Sequence, residues 1–291
     1  MKRKIKKFVL IFSTTILLVV LLAFFLVFKI RSSFDHQTVL TEIQAKNVFP
    51  KSKDIPFGDF TIHTNYTGNL NNQKVLFIHG SPGYWFDFKN IITDSTLLEK
   101  FCLITFDRPG YGKTSVPSQA NLNNQAEIVD AVMQHFQTNN EKFIVLGHSY
   151  GGAVLEQTIL NYSKKIKHAI YVAPCLSPKH QEAKWYNLLI SGGLPNKIMP
   201  HELRTSNLEM MALSECLEKN EQKLKDIKVP TTYIQGKKDI LVPYQTLDYY
   251  KSHHQNIDFS LLDELNHFVP WSNPEIIIKN INKLQSTYNS K

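Results

Sequence analysis

The sequence predicts an α/β fold, in which buried strands and amphipathic helices alternate along the chain. Short, unbroken apolar runs such as residues 143–146 are typical of strands that are buried on both faces. A glycine-rich turn follows that run and leads into a helical-looking segment at residues 153–162. A third observation is the apolar spacing i, i+3, i+4, i+7 within residues 124–137, which predicts an amphipathic helix that crosses from one strand to the next.

The N-terminal part of the chain predicts a membrane anchor. Residues 8–28 form an uncharged run of 21 residues, which as a helix is about 31 Å long and spans the hydrocarbon core of a bilayer. Five basic residues lie in residues 1–7 and two follow the run, so the positive-inside rule predicts a cytoplasmic N-terminus and an extracytoplasmic remainder. A cleaved signal peptide is the alternative, but residues 26–31 offer no small-residue cleavage site. We therefore expect a single-pass membrane protein.

The charge of the chain is concentrated in this N-terminal part. Residues 1–31 contain seven of the 33 Lys and Arg residues and none of the 25 Asp and Glu residues, so residues 32–291 carry a net charge of only +1. The positive net charge of the whole chain therefore reflects the predicted membrane topology, and no nucleic-acid partner is predicted. The three cysteines, Cys102, Cys175 and Cys216, are too few and too unevenly spaced for a disulfide framework or a zinc site. We interpret them as small buried hydrophobic residues.

Residues 29–57 are predicted to be a polar linker, followed by one folded domain over residues 58–289. Residues 60–66 alternate between apolar and polar side chains and predict an antiparallel strand with one solvated face. Residues 74–78 predict a buried strand that runs into a Gly-Pro loop, the place where open α/β sheets bind ligands. Trp85 follows this loop and is a candidate wall of an apolar pocket, with core packing as the alternative.

Residues 103–106 are predicted to form the next buried strand. The segment that follows this strand resembles a nucleotide-binding loop. A phosphate loop would need glycine in place of Asp107, and a dinucleotide fingerprint would need glycine in place of Ser115. No nucleotide cofactor is predicted, and no metal. We interpret the segment as a tight turn in which Asp107 and Arg108 satisfy backbone groups or each other.

Residues 147–151 form a G-x-S-x-G pentapeptide between a predicted strand and a predicted helix. Such a turn holds the serine in a strained conformation, and only glycine fits two positions before and two positions after it. Ser149 is therefore the candidate nucleophile. The alternative is an ordinary glycine-rich turn in which Ser149 caps the helix.

The sheet pattern is interrupted after a predicted strand at residues 168–174. Residues 175–228 are mostly helical in character and rich in methionine and aromatic residues, which predicts either a lid over an apolar pocket or an extra helical layer. Trp185 in this insertion is a second candidate pocket residue. Strands are predicted again at residues 231–235 and 258–262.

Five segments in order make the chain similar to the α/β-hydrolases from about Phe60 to Leu284. The resemblance implies a mostly parallel eight-stranded sheet with helices on both faces and a small helical lid, residues 175–228, after the sixth strand. It also implies a catalytic triad of Ser149 as nucleophile, Asp239 as acid and His267 as base, with the backbone N–H groups of Ser81 and Tyr150 as the oxyanion hole. The five segments are residues 79–83, 107–112, 147–152, 236–239 and 266–268.

The residue at the nucleophile position discriminates among the members of this superfamily. Haloalkane dehalogenases and most epoxide hydrolases have an aspartate where this chain has Ser149, so acyl transfer to water is favoured. We therefore predict a membrane-anchored serine hydrolase that cleaves a small-molecule carboxylic ester.

Two other functions are compatible with the sequence. The loop at residues 79–83 also resembles that of proline iminopeptidases, which hold a free amino terminus with lid carboxylates. The predicted lid offers such carboxylates, although glutamates ordinarily lie on solvated helix faces. The other function is that of a binding module without catalysis. Members of the superfamily with such a role usually lack a triad residue, whereas this chain retains all three. The lid glutamates are Glu182, Glu202, Glu209 and Glu215.

Overall fold

The computed structural model describes Thr14 and residues 35–254 and 257–289, which fall into two compact units, residues 1–47 and 48–291. In the first unit, helix α1 (His36–Gln44) is capped by Asp35, whose carboxylate accepts the N–H of Thr38 at 2.9 Å. The predicted anchor at residues 8–28 lies, except for Thr14, outside the described residues. Among the helices of the described part, none is long and apolar enough to cross a membrane.

In the second unit, the described residues form one eight-stranded sheet with the strand order β1-β2-β4-β3-β5-β6-β7-β8. The pairs β1–β2 and β2–β4 are antiparallel, and the other five neighbouring pairs are parallel. The predicted mostly parallel eight-stranded sheet is confirmed. The strands are β1 (Lys51–Phe57), β2 (Phe60–Thr67), β3 (Gln73–Ile78), β4 (Phe101–Phe106), β5 (Phe143–His148), β6 (Ile166–Val172), β7 (Thr231–Gly236) and β8 (Ile257–Leu262).

The sheet begins earlier than the sequence predicted. The last seven residues of the predicted linker form β1, which pairs in register with β2 from Lys51 opposite Tyr66 to Phe57 opposite Phe60. Ile55 is the only buried residue of this edge strand, and its first four residues are exposed. The linker prediction was wrong here because a solvated edge strand carries almost no hydrophobic signal.

Helices connect the strands and cover both faces of the sheet. The α-helices of this unit are α2 (Lys89–Ile92), α3 (Ser95–Leu98), α4 (Leu122–Phe136), α5 (Tyr150–Tyr162), α6 (Trp185–Ser191), α7 (Gly193–Ile198), α8 (His201–Asn220), α9 (Thr246–His253), α10 (Val269–Ser272) and α11 (Pro274–Asn289). On one face, Leu76 shares a buried cluster with Val129 of α4 and Leu155 of α5. On the other face, the neighbouring Phe77 packs against Phe88, with 5.0 Å between ring centroids.

The predicted helical insertion follows β6 and is here called the lid segment (residues 175–228). It contains a 3₁₀ turn, Pro178–Gln181, followed by α6, α7 and α8. Helix α8 packs against α6 and against the 3₁₀ turn. Because parallel strands end at one common edge, the lid segment begins at the same edge as the loops after β3, β4, β5, β7 and β8. These loops carry every predicted catalytic and oxyanion-hole residue.

Candidate active site

Ser149 lies in the strained turn between β5 and α5. Its backbone has φ 54° and ψ −122°, a conformation with positive φ that is unfavourable for every residue except glycine. A methyl group at Gly147 would lie 2.4 Å from the carbonyl oxygen of Gly151, and one at Gly151 would lie 2.3 Å from the carbonyl oxygen of Ile78. Glycine is therefore required two positions before and two positions after the serine, and the turn presents the Ser149 hydroxyl at the carboxyl edge of the sheet.

The structure brings Ser149, His267 and Asp239 together in one hydrogen-bonded series. The Oγ of Ser149 lies 3.0 Å from Nε2 of His267, and Nδ1 of His267 lies 2.8 Å from Oδ2 of Asp239. The other carboxylate oxygen accepts the backbone N–H groups of Leu241 and Val242 at 2.9 and 2.8 Å. Because the carboxylate can only accept, the proton of the neutral imidazole resides on Nδ1, and Nε2 is free to accept from the serine hydroxyl.

Two residues that the sequence analysis did not single out hold this series in place. The Nε2–H of His148 donates to the carbonyl oxygen of His267 at 3.0 Å, and the side-chain amide of Gln235 donates to Oδ2 of Asp239 at 3.1 Å. Burial, with the neighbouring His267 as the next cause, lowers the pKa of His148 to about 3. His148 is therefore a neutral hydrogen-bond donor over the whole pH range in which an ordinary histidine titrates.

The two predicted oxyanion-hole residues lie beside Ser149. Tyr150 is the first residue of α5, where the backbone N–H groups have no intrahelical acceptor and form the positive end of the helix dipole. The loop at residues 79–83 approaches from the end of β3, and a methyl group at Gly80 would lie 3.2 Å from Cβ of Ser149. The Gly80–Ser81 peptide is thus next to the candidate nucleophile. The role of both N–H groups as oxyanion donors stays a prediction.

The model of a known protein family, described as the alpha/beta hydrolase fold, matches residues 74–191. The matched segment contains β3 except for its first residue, the Gly80–Ser81 loop, the strained turn at Ser149 and the beginning of the lid segment. The segment of residues 74–191 belongs to the α/β-hydrolase superfamily. This confirms the resemblance inferred from the sequence.

Proline iminopeptidases are among the curated proteins similar to this chain. A proline iminopeptidase of Chitinophaga pinensis is 28% identical over 155 residues, which cover 52% of this chain and 50% of that protein. This chain spans about half the length of the curated relatives it matches.

Two solved structures share the fold of this α/β-hydrolase. The epoxide hydrolase CorEH has a TM-score of 0.66 and 16% identity, and the match covers 83% of this chain and 99% of that one. The 2-hydroxy-6-oxo-6-phenylhexa-2,4-dienoate hydrolase of Rhodococcus has a TM-score of 0.65 and 18% identity, with 81% and 98% covered. At these identities the likeness shows the fold alone.

The two tryptophans predicted to line a substrate pocket lie in different environments. Trp85 has no exposed surface, its backbone N–H donates to Oδ1 of Asp107 at 3.0 Å, and its ring packs edge-on against Phe86. The pocket prediction is wrong for Trp85, which belongs to the core because it packs beneath the loop that follows β3. Trp185 begins α6 and is 72% exposed, so it lies on the surface of the lid segment.

Exposed apolar side chains directly follow two of the three predicted triad residues. Ile240 is 91% exposed and Leu241 56% exposed, immediately after Asp239. Phe268, immediately after His267, is 50% exposed. Contiguous apolar surface is what marks a place where apolar ligands bind, and these three side chains contribute apolar surface next to the predicted triad.

The thiol of Cys175 lies beside the candidate nucleophile. Its Sγ is 3.7 Å from Oγ of Ser149, and its backbone N–H donates to the carbonyl oxygen of Ser149 at 3.0 Å. Burial raises the pKa of this thiol to about 12, so it remains protonated at neutral pH and is not a competing nucleophile.

Glu209 of the lid segment is buried and bound to the domain, and so does not lie on a solvated helix face, the ordinary position of a glutamate. Its carboxylate has no exposed surface and forms an ion pair with Arg108, with 2.5 Å between Nη1 and Oε1. The predicted tight turn is present, since Asp107 accepts two backbone N–H groups and Arg108 donates to two backbone carbonyls. The ion pair could not be predicted because no local pattern links residues so distant in sequence.

Proposed function

We propose that this α/β-hydrolase is a serine hydrolase that cleaves a carboxylic ester through an acyl-enzyme. The observation that carries the proposal is the Ser149–His267–Asp239 series, in which two hydrogen bonds of 3.0 and 2.8 Å join a hydroxyl, an imidazole and a carboxylate. A serine hydroxyl is a weak nucleophile at neutral pH and needs a base within hydrogen-bond reach, which His267 supplies.

Each group has one task in this reaction. Oγ of Ser149 attacks the ester carbonyl while Nε2 of His267 takes its proton, and Asp239 stabilises the imidazolium that results. The negative charge on the tetrahedral intermediate is received by the backbone N–H groups of Tyr150 and Ser81, each such donor being worth roughly 3 kcal/mol. The imidazolium then protonates the departing alcohol, and a water activated by His267 releases the acid.

An ester with an apolar acyl group fits the surroundings of Ser149 best. Exposed apolar side chains, among them Ile240 and Phe268, adjoin the triad and suit a hydrocarbon chain. The buried lid carboxylate of Glu209 is already paired with Arg108, so it does not offer an unpaired charge to a substrate amine.

A second function, aminopeptidase cleavage of an amino-terminal residue, is favoured by one observation. Proline iminopeptidases of two species are 28% identical to about half of this chain. In this reading a carboxylate must hold the free amino group of the substrate. Glu202 is the best candidate, because it is half-buried on α8 and lies near the segment that follows the Gly80–Ser81 loop. Its charge acts on Tyr84 of that segment: burial is the main cause of the raised pKa of Tyr84, and the charge of Glu202 is the second.

A substrate panel decides between the two functions. We expect the purified full chain in detergent to hydrolyse p-nitrophenyl butyrate and octanoate with a kcat/KM about 100-fold above that for prolyl and alanyl p-nitroanilides, because an ammonium group would be desolvated without a carboxylate partner. Ser149→Ala provides the background rate. Faster hydrolysis of the aminoacyl substrates, with KM raised by Glu202→Gln, would replace the ester proposal with the aminopeptidase one.

We also propose that residues 8–28 anchor the chain in a membrane, with residues 1–7 in the cytoplasm and the hydrolase domain outside it. The proposal rests on the uncharged run and on its basic N-terminal flank. Protease added to intact cells should remove a C-terminal epitope tag, and a cytoplasmic reporter protein should survive as the control. A tag that is digested only after the cells are permeabilised would reverse this topology.

A further inference from the structure

The carboxylate of Glu209 joins the lid segment to the loop that holds a predicted oxyanion donor. In the interior of the domain it accepts hydrogen bonds from the Ser81 hydroxyl at 2.5 Å and from the Tyr111 hydroxyl at 2.8 Å. It also accepts from Nη1 and Nη2 of Arg108 at 2.5 and 3.2 Å and from the Gln125 amide at 3.1 Å. Five donors from three loops or helices thus surround one fully buried carboxylate.

Arg108 connects the Glu209 carboxylate to the backbone next to Ser149, because it binds both. Its Nε donates to the carbonyl oxygen of His79 at 2.9 Å, and its Nη2 donates to the carbonyl oxygen of Gly80 at 2.7 Å. Its own backbone N–H donates to Nε2 of the His79 ring at 2.9 Å. The guanidinium therefore binds the two peptide units that lead into Ser81.

The Gly80 carbonyl and the Ser81 N–H belong to the same planar peptide unit. In a trans peptide the two bonds point in opposite directions, so a donor that fixes the carbonyl oxygen also fixes the direction of the N–H. A cationic donor at the oxygen additionally polarises the peptide and strengthens its N–H as a donor. Arg108 therefore orients the predicted oxyanion donor from behind, without contacting the substrate.

Glu209 in turn holds Arg108. A guanidinium with no exposed surface needs a partner for its charge, and Glu209 supplies two acceptor oxygens to its two terminal nitrogens. Burial, followed by the charge of Glu209, raises the pKa of Tyr111 well above its usual value, so its hydroxyl stays protonated and donates to the carboxylate. The carboxylate is fully occupied by these donors, which makes it part of the scaffold and not a receptor for a substrate.

We propose that Glu209 is a positioning residue for the oxyanion hole: through Arg108 and the Ser81 hydroxyl, it sets the orientation of the Gly80–Ser81 peptide. The lid segment then takes part in shaping the oxyanion hole, since the hole takes its reactive geometry only when α8 is docked. This inference rests on the proposed acyl-enzyme function and assigns a role to a residue that does not touch the substrate.

The test compares Glu209→Gln with the wild type in the full chain. The glutamine amide presents N–H groups to Arg108 and Gln125, so the guanidinium loses its fixed position. We expect kcat on a short p-nitrophenyl ester to fall about 10- to 100-fold, the size of effect that a small misplacement of a catalytic group produces, with KM nearly unchanged. Glu218→Gln is the matched control, because it makes the same change at an exposed position of the same helix, and it should leave both constants unchanged.

A second readout separates positioning from general loss of structure. A trifluoromethyl ketone forms a tetrahedral oxyanion on Ser149, so its affinity should fall in proportion to kcat/KM in Glu209→Gln, while the affinity for the product alcohol is retained. If Glu209→Gln does not fold because Arg108 is left unpaired, the double variant Arg108→Gln, Glu209→Gln removes both charges and should show the same loss of ketone affinity.

The outcomes distinguish this inference from the function on which it rests. An unchanged kcat, or a rise in KM alone, in a folded variant that still binds the ketone tightly would overturn the role of Glu209 and leave the proposed function intact. A wild-type chain that turns over no acyl substrate would overturn both.

Discussion

Replacing Ser149 with alanine is expected to lower kcat on an activated ester by on the order of 10⁵-fold, and His267→Ala should do nearly the same. Each variant removes one member of the pair joined by the 3.0 Å contact between Oγ and Nε2, and neither partner is effective alone. The double variant should therefore be hardly slower than either single variant. Steady-state rates with one p-nitrophenyl ester measure all three.

A fluorophosphonate probe provides the control for this prediction. It should label the wild type and Ser163→Ala, in which an exposed serine after α5 is changed, and it should not label Ser149→Ala. Strictly multiplicative losses in the double variant, or labelling that persists in Ser149→Ala, would show that another residue is the nucleophile.

Asp239→Asn should reduce kcat about 10⁴-fold while the fold is retained. The structure gives the reason. Oδ1 accepts the backbone N–H groups of Leu241 and Val242, so this position selects the oxygen of an asparagine amide. The NH₂ group is then directed at Nδ1 of His267, which must accept, and the imidazole proton moves to Nε2, where it blocks removal of the Ser149 proton.

Circular dichroism and thermal melting verify that Asp239→Asn is folded. Asp263→Asn is a suitable control, because this exposed carboxylate after β8 pairs with the surface residue Lys237 and its replacement should leave kcat unchanged. If Asp239→Asn keeps more than about a tenth of the wild-type rate, well above the residual activity of a triad without its acid, the acid of the triad lies elsewhere.

The features that could be predicted from the sequence have local signals. Seven strands were indicated by short apolar or alternating runs, and the turn at Ser149 by two glycines whose spacing follows from close contact between backbones. Asp239 and His267 each follow a predicted strand, so their proximity follows from the common edge of a parallel sheet.

The features that were missed depend on packing between distant segments. Strand β1 has only Ile55 buried, so its amino acids resemble those of a linker. The residues that flank Glu209 in the sequence are those of an ordinary helix. Only the tertiary structure places Glu209 against Arg108, which lies more than 100 positions earlier in the chain. Trp85 is an aromatic residue of the kind that lines apolar pockets, but it lies in the core. Its position could not be predicted, because the hydrophobic periodicity of a sequence does not tell which side of a loop faces solvent.

The thiol beside the proposed nucleophile affects how inhibition data should be interpreted. Since Sγ of Cys175 is 3.7 Å from Oγ of Ser149, a mercurial or other group attached to the sulfur would occupy the space that the acyl group needs. Inactivation by thiol reagents would then reflect steric blockade and not a cysteine nucleophile. Inhibitor profiling by reagent class alone would therefore misassign this protein, whereas prior reaction with a serine-directed phosphonate should protect Cys175 from modification.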